Sequence, residues 1–214
     1  MIKLHGAILS PYVRKVKVVL AMKGIEYDST FQMPFNQGAD FFKISPLGKI
    51  PALEHGDLKI SDSTVICEYL EDLYPETPIY PTKPVDRAWA RWLVTLGGTK
   101  VTELTGGIFF QRFMRVNVLQ QSSDEVLVGK IINEQLPPIL DYLETQAPQA
   151  GFLFGDFGLA DISLVSPFVN AGYGGYFVDE DRWPNFKRFA QRVQSHALVS
   201  PLLDVEAKLV PQSK

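Results

Sequence analysis

The chain has 214 residues, of which 46% are hydrophobic and 21% charged, values typical of a globular protein with a sizeable core. The formal net charge of −3 and the lack of any run of 18 apolar residues indicate neither a nucleic acid nor a membrane as a partner. A single cysteine excludes an intrachain disulfide, and with three unclustered histidines it offers no metal-ligand spacing. We therefore expect a cytoplasmic, metal-free protein.

The first 75 residues alternate between strand and helix patterns. Ser10 and Pro11 open a helix that Gly24 ends, because serine is a favoured N-cap, proline fits the first turn and glycine is a common stop. Gly56 and Asp57 form the turn of a hairpin. Strands are predicted over residues 2–5, 27–33, 52–55 and 58–60, and helices over residues 10–24, 37–44 and 62–74. This order predicts an α/β layer with a mixed sheet.

A proline-rich stretch separates this part from a helical remainder. Residues 75–84 hold four prolines, a density typical of a stiff, extended connector. Further helices are predicted over residues 88–104, 124–145, 158–169 and 184–196. The predicted limits are residues 1–77 for the α/β domain, 78–86 for the linker and 87–214 for an all-helical domain.

Two glycine pairs interrupt the first long helix of the second domain. Each glycine in a helix costs about 1 kcal/mol relative to alanine. Gly97-Gly98 and Gly106-Gly107 therefore mark either a broken or kinked helix or a close backbone approach at a ligand cleft or dimer contact.

Ser10 places a hydroxyl at the start of a helix, beside unpaired backbone N–H groups and the positive end of the helix dipole. An anion such as a thiolate would be stabilised there. The alternative is that Ser10 only caps the helix.

Two other segments carry groups suited to a peptide-like ligand. Ile50 precedes Pro51 directly before a strand, and a cis bond there would leave the Ile50 backbone able to pair with a ligand as an added strand. Asp62 and Ser63 start a helix, where the carboxylate can hold an ammonium group and the serine a carboxylate. Simple capping of that helix is the alternative for this pair, and the sequence does not determine the isomer of the Ile50–Pro51 bond.

Together these segments resemble the soluble glutathione S-transferases of the serine-using type, with a bacterial source favoured. The resemblance covers nearly all of the chain and implies a thioredoxin-like N-terminal domain, with a mixed four-stranded sheet and helices, followed by an all-helical C-terminal domain. Gly158 stands where the family has a Ser or Thr cap, and Asp161 can still accept from the cap N–H. The matching motifs are residues 10–16, 46–53, 62–63 with 68–70, and 155–156 with 159–162.

The resemblance also implies how glutathione is held. Ile50, before a cis Pro51, would pair with the cysteinyl backbone of glutathione, and Lys49 would lie near its carboxylate end. Asp62 and Ser63 would bind the γ-glutamyl group. The family usually has glutamate where Asp62 stands, and the side chain shorter by one methylene puts that contact in doubt.

The implied activity is that of a glutathione transferase, with Ser10 hydrogen-bonded to the glutathione sulfur and favouring its thiolate. Glutathione is then a co-substrate, and conjugation of electrophiles or reduction of peroxides needs no metal. The alternative is a non-catalytic glutathione-binding or regulatory protein. A thiol–disulfide enzyme would need a cysteine in place of Ser10.

An apolar pocket for a small electrophile is expected between the domains, lined by the first long helix of the second. Its residues could equally belong to the core or to the contact of a homodimer, which the resemblance also implies. The candidates are Tyr12, Ile108, Phe109, Phe110, Phe113 and Met114.

Three further residues are expected to be structural. Cys67 lies in a helix beside Ile66 and is interpreted as a small buried hydrophobe. Trp89 and Trp92 are expected to be packing residues.

Overall fold

The computed structural model describes residues 1–35 and 37–210; the last four residues of the predicted helical domain, 211–214, lie outside the described residues. Four strands form one sheet, and two helices pack with it. The strands are β1 (Ile2–Gly6), β2 (Tyr27–Phe31), β3 (Ala52–His55) and β4 (Leu58–Ser61), and the helices are α1 (Pro11–Met22) and α2 (Ser63–Leu73).

The sheet is mixed, in the strand order β2-β1-β3-β4. Strand β1 pairs in parallel with β2 and antiparallel with β3, and the β3–β4 hairpin turns at Gly56, whose φ is +61°. The predicted mixed sheet is therefore confirmed. The helix predicted over residues 37–44 is only a 3-10 turn at Phe41–Lys43. Pro46 contributes to its shortness, because the residue before a proline disfavours helical geometry.

The remainder of the described chain is predominantly helical, as predicted. Helix α7 lies at the centre of this part and is buried on nearly every side, whereas α9 was not predicted because its eight residues have little helical periodicity. The helices are α3 (Pro84–Leu96), α4 (Thr102–Phe109), α5 (Glu125–Lys130), α6 (Pro137–Gln146), α7 (Leu159–Tyr173), α8 (Pro184–Gln194) and α9 (Ser200–Ala207). Within residues 1–35 and 37–210, no helix is both long enough and apolar enough to cross a bilayer.

The start of α7 is capped by Asp161. Its carboxylate accepts hydrogen bonds from the backbone N–H of Gly158 at 2.8 Å and of Leu153 at 2.9 Å, so the expected reach back to the cap is confirmed. Burial raises the pKa of Asp161 to about 6, although these hydrogen bonds act in the opposite direction.

The glycine pairs do not break the first long helix. A π-helical segment, Gly97–Val101, continues α3 into α4, and a second one, Phe110–Val118, extends α4. Gly97 lies where this long helix crosses α7: an added Cβ would collide with the carbonyl oxygen of Ser163 and lie 2.7 Å from the carbonyl carbon. An added Cβ at Gly98 would meet nothing within 4 Å. Close approach of another backbone therefore explains Gly97.

We expect Gly97→Ala to lower the free energy of unfolding by about 1–3 kcal/mol, because two helix backbones would have to separate. Gly98→Ala is the matched control, and it should raise stability by about 0.5–1 kcal/mol through helix propensity. Urea denaturation of both variants measures the difference. Equal effects at the two positions would contradict the close helix crossing.

Trp89 and Trp92 are 45% and 47% exposed in the described chain, so the expectation that both are packing residues is wrong. The buried stripe of α3 is formed by Ala90, Leu93, Val94 and Leu96. Trp92 falls outside that stripe because the helical period turns it toward the surface, whereas Trp89 lies four residues before Leu93, at the edge of the stripe.

Candidate active site

One cavity of about 1000 Å³ lies between the sheet-containing part and the long helix of the second part. Its walls come from the loop after β1, the starts of α1 and α2, the segment before β3, and the helices from Gly98 onward. The predicted site residues that line it are Ser10, Tyr12, Lys49, Ile50, Asp62, Ser63, Phe109, Phe110 and Phe113, joined by Met114. Segments distant in sequence thus meet at one concave surface of mainly apolar character, a common form of ligand site.

Ser10 is the N-cap of α1. It has extended backbone geometry, with φ −76° and ψ 125°, and its Oγ accepts a hydrogen bond from the Val13 N–H at 3.3 Å. Within the described residues no group accepts the Ser10 hydroxyl hydrogen, which is therefore available to a ligand in the cavity. Capping and ligand binding are thus compatible, because they use different atoms of the same hydroxyl.

The segment before β3 is organised around Ser45. Its hydroxyl accepts from the Lys49 N–H at 2.9 Å and donates to the Lys49 carbonyl at 2.8 Å. This local hydrogen bonding brings Lys49, which is exposed, and Ile50 to the cavity wall. The Ile50–Pro51 peptide bond is cis, and Pro51 is buried.

Asp62 and Ser63 begin α2. The Asp62 carboxylate accepts from the backbone N–H groups of Thr64 at 2.8 Å and Val65 at 3.3 Å, so it caps the helix. Asp62 also has a φ of +84°, which is rare for a residue other than glycine. Such backbone geometry costs of order 1–3 kcal/mol and is frequent at binding sites.

The starts of α1 and α2 are tied together by Lys15. Its side chain is buried and donates from Nζ to Thr64 Oγ1 at 2.9 Å. Burial lowers the pKa of Lys15. This contact holds two helix N-termini beside each other, so the backbone N–H groups and the positive ends of two dipoles face one region of the cavity.

Cys67 is fully buried in α2, and burial raises the pKa of its thiol to about 12. A thiol with such a pKa is protonated at neutral pH and is a poor nucleophile. The interpretation of Cys67 as a small buried hydrophobe is therefore confirmed.

An aromatic wall faces the start of α1 across the cavity. The rings of Phe109 and Phe113 stack with centroids 4.9 Å apart, and the Tyr173 ring lies tilted at 6.5 Å from each. Ile108, a candidate for this wall, is instead fully buried and packs in the core. Its exclusion follows from the helical period, which points Ile108 away from the face that carries Phe109 and Phe113.

Tyr12 joins the two halves of the cavity. Its hydroxyl donates to the Gly98 carbonyl at 2.9 Å, and burial raises the pKa of the phenol. The phenolic proton is therefore already donated to a backbone carbonyl of the helical part.

Several residues that line the cavity were not predicted from the sequence. The main ones are Phe31, Met33, Asn170 and Leu209. Asn170 had a detectable signal, because it is a polar residue in the predominantly apolar helix α7. The others lie at the ends of β2 and α9, where no local pattern indicates a ligand.

The region from residue 4 to residue 78 matches the sequence profile of the glutathione S-transferase N-terminal domain. A tobacco protein described as a probable glutathione S-transferase is 30% identical over 195 residues, which cover 88% of this chain and 81% of that protein. A maleylacetoacetate isomerase from Pseudomonas aeruginosa is 30% identical over 203 residues, which cover 91% of this chain and 92% of that protein.

The structure agrees with these sequence comparisons. The crystal structure of a glutathione S-transferase from Rhodospirillum rubrum superimposes with a TM-score of 0.84 at 28% identity, over 95% of this chain and 92% of that one. The likeness therefore extends through both the sheet-containing and the helical part.

Proposed function

Because the chain belongs to the glutathione S-transferase family, we propose that it is a serine-type transferase that conjugates glutathione to small apolar electrophiles. The observation that carries this proposal is the convergence of Ser10, Ile50 and the Asp62–Ser63 pair on one cavity. Each of these groups is suited to a different part of the glutathione molecule.

Glutathione is proposed to bind in the end of the cavity that holds the polar groups. Ile50 and Lys49 would contact its cysteinyl and glycyl parts, and Asp62 its γ-glutamyl ammonium group. Ser63, at the start of α2, would contact the γ-glutamyl carboxylate through its hydroxyl and backbone N–H.

In the proposed reaction, Ser10 donates its hydroxyl hydrogen to the glutathione sulfur and stabilises the thiolate, together with the N-terminus of α1. About 1.4 kcal/mol of differential stabilisation increases the thiolate fraction roughly tenfold at neutral pH. The sulfur then attacks an electrophilic carbon, and the leaving group departs with the bonding electron pair. We include apolar hydroperoxides as substrates: the thiolate would attack a peroxide oxygen, the O–O bond would break to release the alcohol, and a second glutathione would convert the resulting glutathione sulfenic acid to glutathione disulfide and water.

Calorimetric titration with glutathione, combined with ultraviolet absorbance of the bound thiolate against pH, tests this function. We expect binding, and a thiol pKa below that of free glutathione in the wild type. Binding with an unchanged thiol pKa would favour a non-catalytic glutathione-binding protein, and absence of binding would contradict the proposed function.

The second substrate is proposed to be uncharged. Of the described residues that line the cavity, only Lys49 and Asp62 carry a charge, and both lie at the end assigned to glutathione. The opposite end presents Phe109, Phe113 and Met114. A carboxylate buried there would lose its hydration without gaining a cationic partner, which costs several kcal/mol.

We therefore expect the ethyl ester of 4-chloro-3,5-dinitrobenzoate to react with a kcat/KM at least about tenfold above that of the free acid, after correction for uncatalysed rates. Met114→Lys should narrow this difference by supplying a cation, whereas Met114→Leu should leave it unchanged. Steady-state kinetics at saturating glutathione measures all three proteins. Equal rates for ester and acid in the wild type would contradict an uncharged pocket.

We also propose that the protein is a homodimer, since symmetric dimers are the commonest oligomers and the family resemblance implies one. Sedimentation equilibrium should then give twice the 24.0 kDa of one chain. A single-chain mass at micromolar concentration would contradict this.

A further inference from the structure

Both residues that flank Ser10 are held by side chains of α7. The Asn170 amide donates to the Leu9 carbonyl at 2.7 Å, and the Ser166 hydroxyl donates to the Pro11 carbonyl at 2.9 Å. Asn170 and Ser166 are both 2% exposed. They lie four residues apart and therefore project from the same face of the helix.

Arg14 dictates which way these two side chains point. Its guanidinium donates to Asn170 Oδ1 at 3.1 Å and to the hydroxyl and carbonyl oxygens of Ser166, both at 2.8 Å. Arginine has donors only, so Asn170 must turn its carbonyl oxygen toward Arg14. Its NH₂ group is thereby directed at Leu9, and the Ser166 hydroxyl hydrogen is left to donate to Pro11.

Arg14 is in turn fixed by Glu206 of α9. The two side chains form a bidentate ion pair, with Arg14 Nε at 2.8 Å from Glu206 Oε1 and a second contact between Nη2 and Oε2. The Tyr173 hydroxyl donates to the same carboxylate at 2.9 Å. These orienting contacts come from α7, α9 and the first turns of α1, and those of Arg14 are buried.

We infer that Asn170 and Ser166 are positioning residues that hold the Ser10 hydroxyl against the glutathione sulfur. This inference rests on the proposed role of Ser10. A hydroxyl and a helix terminus stabilise a thiolate only over a short distance, and a misplacement of about 1 Å can cost up to 100-fold in rate. The hydrogen bonds to Leu9 and Pro11 restrain the backbone on either side of Ser10.

A purely structural role for these side chains would lower stability without changing the pH dependence of the reaction. A positioning role predicts a loss that depends on pH. Below the pKa of free thiols, near 8.5, the enzyme must stabilise the thiolate, and a misplaced Ser10 does so poorly. Well above that pKa glutathione is ionised without help, so the variants should then react as fast as the wild type.

The experiment measures kcat/KM for glutathione from pH 6 to pH 9.5 in the full-length wild type, Asn170→Ala and Ser166→Ala. We expect both variants to lose about three- to tenfold at pH 6.5 and less than about twofold at pH 9.5. Phe189→Ala is the control: Phe189 is fully buried in α8, so the variant is destabilised like the others, yet its activity profile should match the wild type. All assays are run well below the lowest unfolding midpoint.

The inference would be overturned by a loss of kcat/KM that is equal at pH 6.5 and pH 9.5, or by no loss of kcat/KM in either variant. Suppose the wild type lowers the thiol pKa, Ser10→Ala abolishes that lowering, and Asn170→Ala and Ser166→Ala keep it. The positioning role would then be wrong, while the proposed function would stand. If the wild type itself does not lower the thiol pKa, the proposed function fails and the positioning role with it. Should Asn170→Ala not fold, Ser166→Ala, which removes one hydroxyl, decides the question.

Discussion

Replacing Ser10 with alanine is expected to lower kcat/KM about 10- to 100-fold at pH 6.5. In the proposed mechanism the variant loses a hydrogen bond to a charged sulfur, which would contribute about 1.5–3 kcal/mol. At pH 9.5 the loss should shrink, because free glutathione is then mostly thiolate. Stopped-flow or steady-state rates with an aryl chloride, measured at both pH values, check this expectation.

Ser10 also caps α1 through the Val13 N–H, so alanine should cost about 1 kcal/mol of stability as well. Two controls separate the effects. Ser10→Thr keeps a hydroxyl in the same position and should retain much of the activity. Asp124→Ala removes the cap of α5, where the carboxylate accepts from Leu127 at 3.0 Å, and should cost similar stability with no change in rate. An active Ser10→Ala protein at pH 6.5 would mean that Ser10 is only a cap.

Replacing Glu206 with alanine is expected to lower the free energy of unfolding by about 3–5 kcal/mol. Arg14 is 1% exposed and Glu206 2% exposed, and their contact joins α1 to α9 across 192 residues of sequence. Removing the carboxylate leaves a buried guanidinium without its counter-ion and the Tyr173 hydroxyl without its acceptor. Denaturant unfolding followed by circular dichroism measures the loss.

Asp204→Ala is the matched control, because Asp204 is exposed on the same helix and should change stability by less than about 0.5 kcal/mol. The double variant Arg14→Met with Glu206→Ala should be less destabilised than the sum of the single variants, since it leaves no unpaired charge. A loss below about 1 kcal/mol for Glu206→Ala, with fast amide exchange confined to α9, would contradict the expectation. Helix α9 would then detach locally and let water reach Arg14.

The elements that a few neighbouring residues specify could be predicted from the sequence. Ser10 and Pro11 mark the start of α1, and Gly56 marks the β3–β4 turn, because caps and tight turns depend on local hydrogen bonds and backbone angles. The motifs around Ser10, Ile50 and Asp62 were visible for the same reason. These local patterns did not decide whether a motif binds a ligand or has only a structural role, since a capping residue has the same sequence pattern whether or not a ligand is near.

Other predictions failed or were absent because they depend on packing between distant segments. The exposure of Trp92 follows from which face of α3 contacts the core. The need for glycine at position 97 follows from the crossing with α7 at Ser163. Neither fact has a counterpart in the spacing of nearby residues.

The sequence by itself therefore determined the four strands, the main helical regions up to α8, the caps Ser10 and Asp62, and the family. The tertiary structure alone decided that three separate motifs line one cavity and that Asn170, Ser166 and Glu206 stand behind Ser10. These contacts link residues 152 to 192 positions apart, and their donors and acceptors look ordinary in sequence. Their importance arises only when folding removes water and leaves each buried polar group dependent on a specific partner.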